Sequence, residues 1–198
     1  MQTINRYITN NDAYKTATII QPQGLMLHSI GTNQPFAKNT ISGWNKPGST
    51  VAAHAIIEPK IIYETLPYNY RCSHCGGSGN NTHIAVEMTE PADLQYIGGA
   101  TFTYDEAKKP AIISHIGATY NLAAILFADL CRKYNLDPLK SGVIVSHNEG
   151  CQLGIAGTAA DKHYDPDHMG DKFGYTMDKF RQKVKDQMII PLVPVAGW

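Results

Sequence analysis

The chain has no excess of charge of either sign: 17 Lys and Arg stand against 17 Asp and Glu in 198 residues. No basic field draws it to nucleic acid or to an anionic bilayer, and neither is expected as a partner. Cysteine is scarce. Four thiols, Cys72, Cys75, Cys131 and Cys151, are too few to staple a chain of this length into a disulfide scaffold. Long apolar runs are missing as well. None approaches the roughly 18 residues of a membrane-crossing helix, so membrane insertion is not expected. The opening Met1-Gln2-Thr3-Ile4-Asn5-Arg6 lacks the apolar segment of a signal peptide. Internal repeats and low-complexity segments are also absent. What remains is one ordinary domain, long enough to bury a core without help from metal or disulfides.

Histidine is the unusual presence, at eight residues, and its placement follows the apolar pattern. Val143-Ile144-Val145 reads as a buried strand ending in Ser146-His147, which brings an imidazole to a sheet rim where open α/β folds keep their ligands. Leu25-Met26-Leu27 delivers His28 in the same way. Thr82–Met88 is a third strand, and its period of two sets His83, Ala85 and Glu87 on one face, opposite Ile84, Val86 and Met88. Val51–Ile57 and Ile61–Leu66 read as a hairpin around Glu58-Pro59-Lys60. Leu122, Ile125, Leu126 and Leu130 mark a helix from about Ser114 to Tyr134, closed by Asn135-Leu136-Asp137-Pro138. Met177, Phe180, Val184 and Met188 mark a last helix from Tyr175 to Ile189.

Elsewhere the pattern is weaker. Residues 1–23 hold at most a short helix capped near Asn11, residues 32–50 a loop with one turn around Thr40–Trp44, and residues 89–110 a long, partly ordered insertion. The element order predicts a single α/β domain over residues 1–189, a central mixed β-sheet flanked by helices. Residues 190–198 read as the start of a linker to a further, wall-binding domain.

A catalytic zinc takes three protein ligands and leaves a fourth position to water. His28 and His147 supply two. Asp165, within His163-Tyr164-Asp165-Pro166-Asp167-His168, is the third, and Cys151, four residues after His147, is its rival. Plainer readings stand beside these: a strand-end histidine hydrogen-bonded at the surface, and an aspartate that turns the chain before proline. Glu87 lies among apolar neighbours, which costs free energy unless it has a partner. Beside a zinc-bound water it would serve as general base; the plainer reading is an edge strand with Glu87 solvated. Cys72-x-x-Cys75 has no second pair to complete a structural zinc site, so a local disulfide or two free thiols fits better. His54, His83 and His115 read as structural and Cys131 as a core residue. His74, in a glycine-rich loop, is placed to contact substrate.

These marks occur together and in order: Leu27-His28, Gly48-Ser49-Thr50-Val51-Ala52-Ala53-His54, Asn80-Asn81-Thr82-His83-Ile84-Ala85-Val86-Glu87, Ser146-His147-x-Glu149-Gly150, His163-x-Asp165-Pro166-x-His168 and Thr176-Met177-Asp178-x-Phe180-Arg181. The set resembles the zinc-dependent N-acetylmuramoyl-L-alanine amidases of the type-two class, which share the peptidoglycan-recognition-protein fold, and in particular the catalytic domains of phage and prophage endolysins. The resemblance implies zinc on His28, His147 and Asp165, Glu87 as general base, and His163 as a donor to the oxyanion. It implies peptidoglycan as the partner, lysis of the cell wall as the outcome, and an enzyme made in the cytoplasm that acts on the wall after release. A non-catalytic peptidoglycan-binding module of the same fold is the alternative, and a zinc peptidase cutting another bond of the wall is a third reading.

Overall fold

The computed structural model describes residues 2–157 and 164–189. His163 and residues 190–198, for which an oxyanion donor and a linker were expected, lie outside the described residues. The strands are β1 (Gln2–Asn5), β2 (Gly24–Ser29), β3 (Ala55–Glu58), β4 (Ile61–Glu64), β5 (His83–Met88), β6 (Gln95–Gly98), β7 (Thr101–Thr103) and β8 (Ile144–Ser146). The helices are α1 (Asp12–Thr16), α2 (Ala37–Trp44), α3 (Lys109–Tyr134), α4 (His147–Gln152), α5 (Asp167–Phe173) and α6 (Met177–Ile189). Six strands form one sheet in the order β1-β4-β3-β5-β2-β8, parallel throughout except between β3 and β4. The domain is thus α/β with a mixed central sheet, as the element order predicts.

The central strands are nearly continuous apolar runs because both faces of the sheet are covered. Leu25 and Leu27 of β2, Ile84, Val86 and Met88 of β5, and Ile144 of β8 join one core with Ala124 and Phe127 of α3 and Phe180 and Val184 of α6. Met26 and Val145 point to the other face and pack with Cys75, Ala156, Cys151 and Ile155. Burying each such large side chain contributes about 1.5–3 kcal/mol. Gly150 lets α4 lie close on β2: a Cβ there would stand 2.8 Å from Met26 Cε. The outer edge of β8 is closed by Arg181 of α6, which donates to Ile144 O at 3.1 Å. That contact blunts an edge otherwise open to pairing with another chain.

Several boundaries differ from the sequence reading. The long helix begins at Lys109, with Pro110 in its first turn, and ends where Asn135 takes a left-handed conformation at φ 54°. No uninterrupted apolar run reaches membrane length, yet Glu106–Tyr134 is by length and mean hydropathy apolar enough to cross a bilayer; 56% of that apolar window is buried inside the fold. Val51–Ala53 do not join β3. Their neighbour is the loop after β4, with Ser73 N donating to Thr50 O and Ala52 N to Ser73 O. The 89–110 stretch is more ordered than its composition suggests: β6 and β7 pair as a hairpin, and Leu94 and Phe102 are buried in the main core. Helices α4 and α5 were not foreseen, and neither was β1.

His54 is structural, as expected. It is fully buried, its Nε2 donates to Tyr70 O at 2.7 Å, and its Nδ1 accepts from Ala85 N at 2.9 Å. Burial lowers its pKa from 6.5 to about 4, against the raising effect of those two backbone bonds. The folded protein therefore binds fewer protons here than the unfolded chain between those values. Stability gained from neutral His54 is complete above about pH 6.5 and drains away as pH falls toward 4. Measured with metal removed, the unfolding free energy should drop by about 2 kcal/mol from this residue between pH 7 and 5, and His54→Gln should flatten that slope. An equally steep slope in a folded His54→Gln protein would contradict the assignment.

Candidate metal centre

Three parallel neighbours, β5, β2 and β8, end on the same rim, and their C-terminal ends carry the chemistry. His28 sits near the end of β2, directly across from Glu87 on β5. His147 follows β8 immediately and opens α4. A capping box shapes that strand-to-helix turn: Ser146 Oγ accepts from Glu149 N at 3.0 Å, and Glu149 Oε2 accepts from Ser146 N at 3.1 Å. Arg181 grips the same Glu149 with both guanidinium nitrogens, at 2.8 and 3.1 Å. The first turn of α4 is thereby tied to α6, and His147 with it.

Asp165 comes from 18 residues further along and meets both imidazoles. Its Oδ2 lies 3.1 Å from His28 Nδ1, and its Oδ1 lies 3.2 Å from His147 Nδ1. Donor atoms of these three residues all stand within 4.8 Å of one another, and they form the one such group among the described residues. Burial alone would raise the Asp165 carboxyl pKa. Hydrogen bonds from His147 and His28, with their charges, outweigh it and hold the carboxyl well below the usual carboxylate range. Two donors about 2.05 Å from a tetrahedral zinc stand about 3.3 Å apart, so the two nitrogen–oxygen separations suit a single ion. Two nitrogens and a carboxylate oxygen are also a ligand set that zinc takes. Cys151, the rival ligand, is one helical turn past His147 and packs in the apolar cluster of Met26, Cys75 and Val145 instead.

The segment bearing Asp165 is held by the segment bearing His147. Ser146 Oγ donates to Asp167 Oδ2 at 3.0 Å, and Asn148 Nδ2 donates to the same oxygen at 2.9 Å. Asp167 is pushed up to about 6 by burial, with these two hydrogen bonds pulling the other way. No local sequence pattern marks Asp167 and Ser146 for this role, although Ser146-x-x-Glu149 announces its own cap. His168 turns away from the ligand group. Its Nε2 lies 2.8 Å from Tyr96 Oη, which in turn donates to the fully buried Glu90, so α5 is fastened to the β6–β7 hairpin. Between the two lies a groove of about 550 Å³, lined by Gly98–Thr101, Asn148, Tyr164, Asp167, His168 and Asp171. It borders the residues next to His147 and Asp165.

Glu87 is half-buried, and its Oε2 is closed to solvent with no hydrogen-bond partner among the described residues. Burial first, then the negative charges of Asp165 and Glu90, raise its pKa well above the ordinary carboxyl value. It lies in an interior strand of the sheet, not at an edge. His74, expected to meet substrate, faces inward: its Nδ1 lies 3.1 Å from His28 Nε2, and its Nε2 is closed to solvent. Cys72 and Cys75 are free, buried thiols. Cys72 lies 3.8 Å from His54 Nδ1, while Cys75 bonds Asn80 Oδ1, so the pair makes neither disulfide nor metal site. His83 and His115 are structural, bonded to Gly142 O and Thr89 O respectively.

Comparison with known proteins agrees with this architecture. Staphylococcus aureus hydrolase AmiA in complex with its ligand superposes with a TM-score of 0.68 at 20% identity, over 100% of this chain and 87% of that one. The catalytic domain of XlyA gives 0.65 at 18% identity, over 93% and 99%. A mutant endolysin from Bacillus subtilis gives 0.61 at 20% identity, again over 93% and 99%. At these identities the likeness establishes the fold. No curated protein sequence matches significantly. The family model described as N-acetylmuramoyl-L-alanine amidase matches residues 19–168, which span β2 through the Asp165 segment and include His28, His147 and Asp165. The chain belongs to the N-acetylmuramoyl-L-alanine amidase family.

Proposed function

We propose that this protein is a zinc-dependent amidase. It cleaves the amide between the lactyl group of N-acetylmuramic acid and the L-alanine of the peptidoglycan stem peptide, and so lyses the bacterial cell wall in the manner of an endolysin. The observation that carries the proposal is the convergence of His28 Nδ1, His147 Nδ1 and the Asp165 carboxylate, with Glu87 across the strand pair from His28. His28, His147 and Asp165 would hold the zinc. When bound it supplies a water of lowered pKa and Lewis-acid polarisation of the scissile carbonyl.

The protein's own groups carry the proton. Glu87 accepts it from the attacking water and returns it to the departing alanine amine. A general base works best with a pKa near the working pH, and burial beside Asp165 and Glu90 moves Glu87 in that direction. An oxyanion needs a preorganised donor, and His163, two residues before Asp165 in the chain, is assigned that role. The groove beside Asn148 and Tyr164 would receive the peptide arm of the substrate.

Mass spectrometry of digested peptidoglycan tests the bond assignment: free N-terminal L-alanine should appear, with the glycan chains intact. Wall binding without any cleavage would favour the non-catalytic module, and a cut elsewhere in the peptide would favour the peptidase. Metal content tests the centre. The protein should hold about one zinc; His28→Ala, His147→Ala and Asp165→Ala should each lose it, while Cys151→Ser keeps both zinc and activity. Activity should fade below about pH 6, because protons compete with the metal for the ligand imidazoles.

Glu87→Gln should fold and bind zinc normally but turn over roughly 10²–10⁴-fold more slowly. Near-normal turnover by the zinc-loaded variant would end the general-base role, and a matching fall in thermal midpoint would make Glu87 structural.

A further inference from the structure

An imidazole that binds a metal through one ring nitrogen carries its proton on the other. That N–H needs an acceptor, which fixes both the tautomer and the ring angle. In His28 the two nitrogens are clearly divided. Nδ1 faces Asp165 and the convergence point with His147. Nε2 faces the opposite way and lies 3.1 Å from His74 Nδ1, with the two rings 88° apart and their centroids separated by 5.2 Å. Perpendicular rings at this distance suit an in-plane N–H of one imidazole meeting a ring nitrogen of the other. Carboxylates and backbone carbonyls are the usual outer partners of a metal-bound histidine; here a second histidine takes the place.

His74 is itself firmly set. Asn80 Oδ1 accepts from His74 N at 2.9 Å and from Cys75 N at 3.0 Å, and Cys75 Sγ lies 3.3 Å from the same oxygen. One side-chain oxygen thus gathers the turn that carries His74. Gly79 N donates to Ile155 O at 2.7 Å and fastens that turn to the segment after α4. Gly79 has no room for a side chain, since a Cβ would meet Cys75 Sγ at 2.8 Å. The glycine-rich loop therefore holds an imidazole rigidly against the far side of a metal ligand.

We propose that His74 is a positioning residue of the metal centre: its Nδ1 accepts the Nε2–H of His28 and so keeps the Nδ1 lone pair of His28 directed at the ion. This rests on the reading of His28, His147 and Asp165 as zinc ligands and assigns to the Cys72–Asn80 loop a part in metal affinity.

The test compares three variants by chelator competition for zinc and by the visible spectrum of the cobalt-loaded protein, with the thermal midpoint of each metal-free protein as the folding control. His74→Asn keeps an acceptor, because its Oδ1 falls close to the place of Nδ1. His74→Leu fills the volume without an acceptor, and His74→Ala leaves the space open. Zinc affinity should fall about 10–100-fold in His74→Leu and His74→Ala and stay near wild type in His74→Asn, with the cobalt spectrum altered only where affinity falls. If either apolar variant fails to fold, the other gives the comparison. Equal zinc affinity in all three variants would overturn the proposal. So would an equal loss in Asn and Leu, which would mean that an acceptor at this place does not restore the site, or a loss in His74→Ala alone, which would mean that His74 only fills space. A wild-type protein that binds no zinc at all would instead refute the ligand reading on which the proposal rests.

Discussion

One carboxylate bridging two imidazoles is the constraint that the rest of the fold serves. Asp165 stands largely buried between His28 and His147, a place where a carboxylate is rarely found unless it is paired, and its neighbours leave it charged. Burying a carboxylate without partners costs several kcal/mol. That cost is avoided only if both imidazoles arrive at the right distance. The parallel trio β5-β2-β8 meets the requirement, because parallel strands in register end together. His28 and His147 then reach the same rim although their numbers in the sequence differ by 119.

Asp165 has no strand to deliver it. Its position depends on side-chain bonds between segments: Asp167 takes hydrogen bonds from both residues that flank His147. The same short stretch around Ser146 caps α4, and Glu149 within it is held by Arg181. Helix α6, 30 positions past His147 at its start and buried mainly through Phe180 and Val184, is thus coupled mechanically to His147. Removing Asp167 or Arg181 would loosen the His28, His147 and Asp165 group without touching any of the three, as outer partners do around metal sites in general.

The parts of this arrangement that were legible in the sequence are those with a local signal. Apolar runs named the central strands, and a ligand at the end of such a run is conspicuous, so His28 and His147 stood out. The period of two picked out Glu87. The long helix was readable from its stripe, though its first turns were not, because Lys109–Ile113 carries no clear stripe of its own. Short elements escaped for a physical reason: α4, α5 and β1 have six, seven and four residues, and helices that short are stabilised by packing and caps more than by propensity. The 89–110 stretch looked loose because its order comes from Glu90, Tyr96 and His168, three residues that meet only once the chain has folded. His74 was noticed, but its polar partner lies 46 residues away, and no local pattern announces such a contact.

Two glutamates near the end of β5 show how packing separates structure from chemistry. Glu90 is fully buried, yet its carboxylate is satisfied: Gly31 N donates to Oε1 at 2.8 Å and Tyr96 Oη donates to Oε2. Its work is to join the β2 end, the hairpin and α5. Glu87, three residues earlier, has an oxygen shut away from water with no donor facing it among the described residues. Leaving such an atom unpaired costs about 1–3 kcal/mol, and a Thr, Ser or Asn nearby would have relieved it. Burial raises the pKa of both groups, so the contrast lies in bonding and not in desolvation. A carboxyl whose hydrogen-bonding capacity is already spent on the fold has little left for a reacting water; one kept short of partners beside His28 and Asp165 retains it. The unsatisfied glutamate is therefore the one suited to move a proton, and the satisfied one is the anchor that holds the wall of the groove in place.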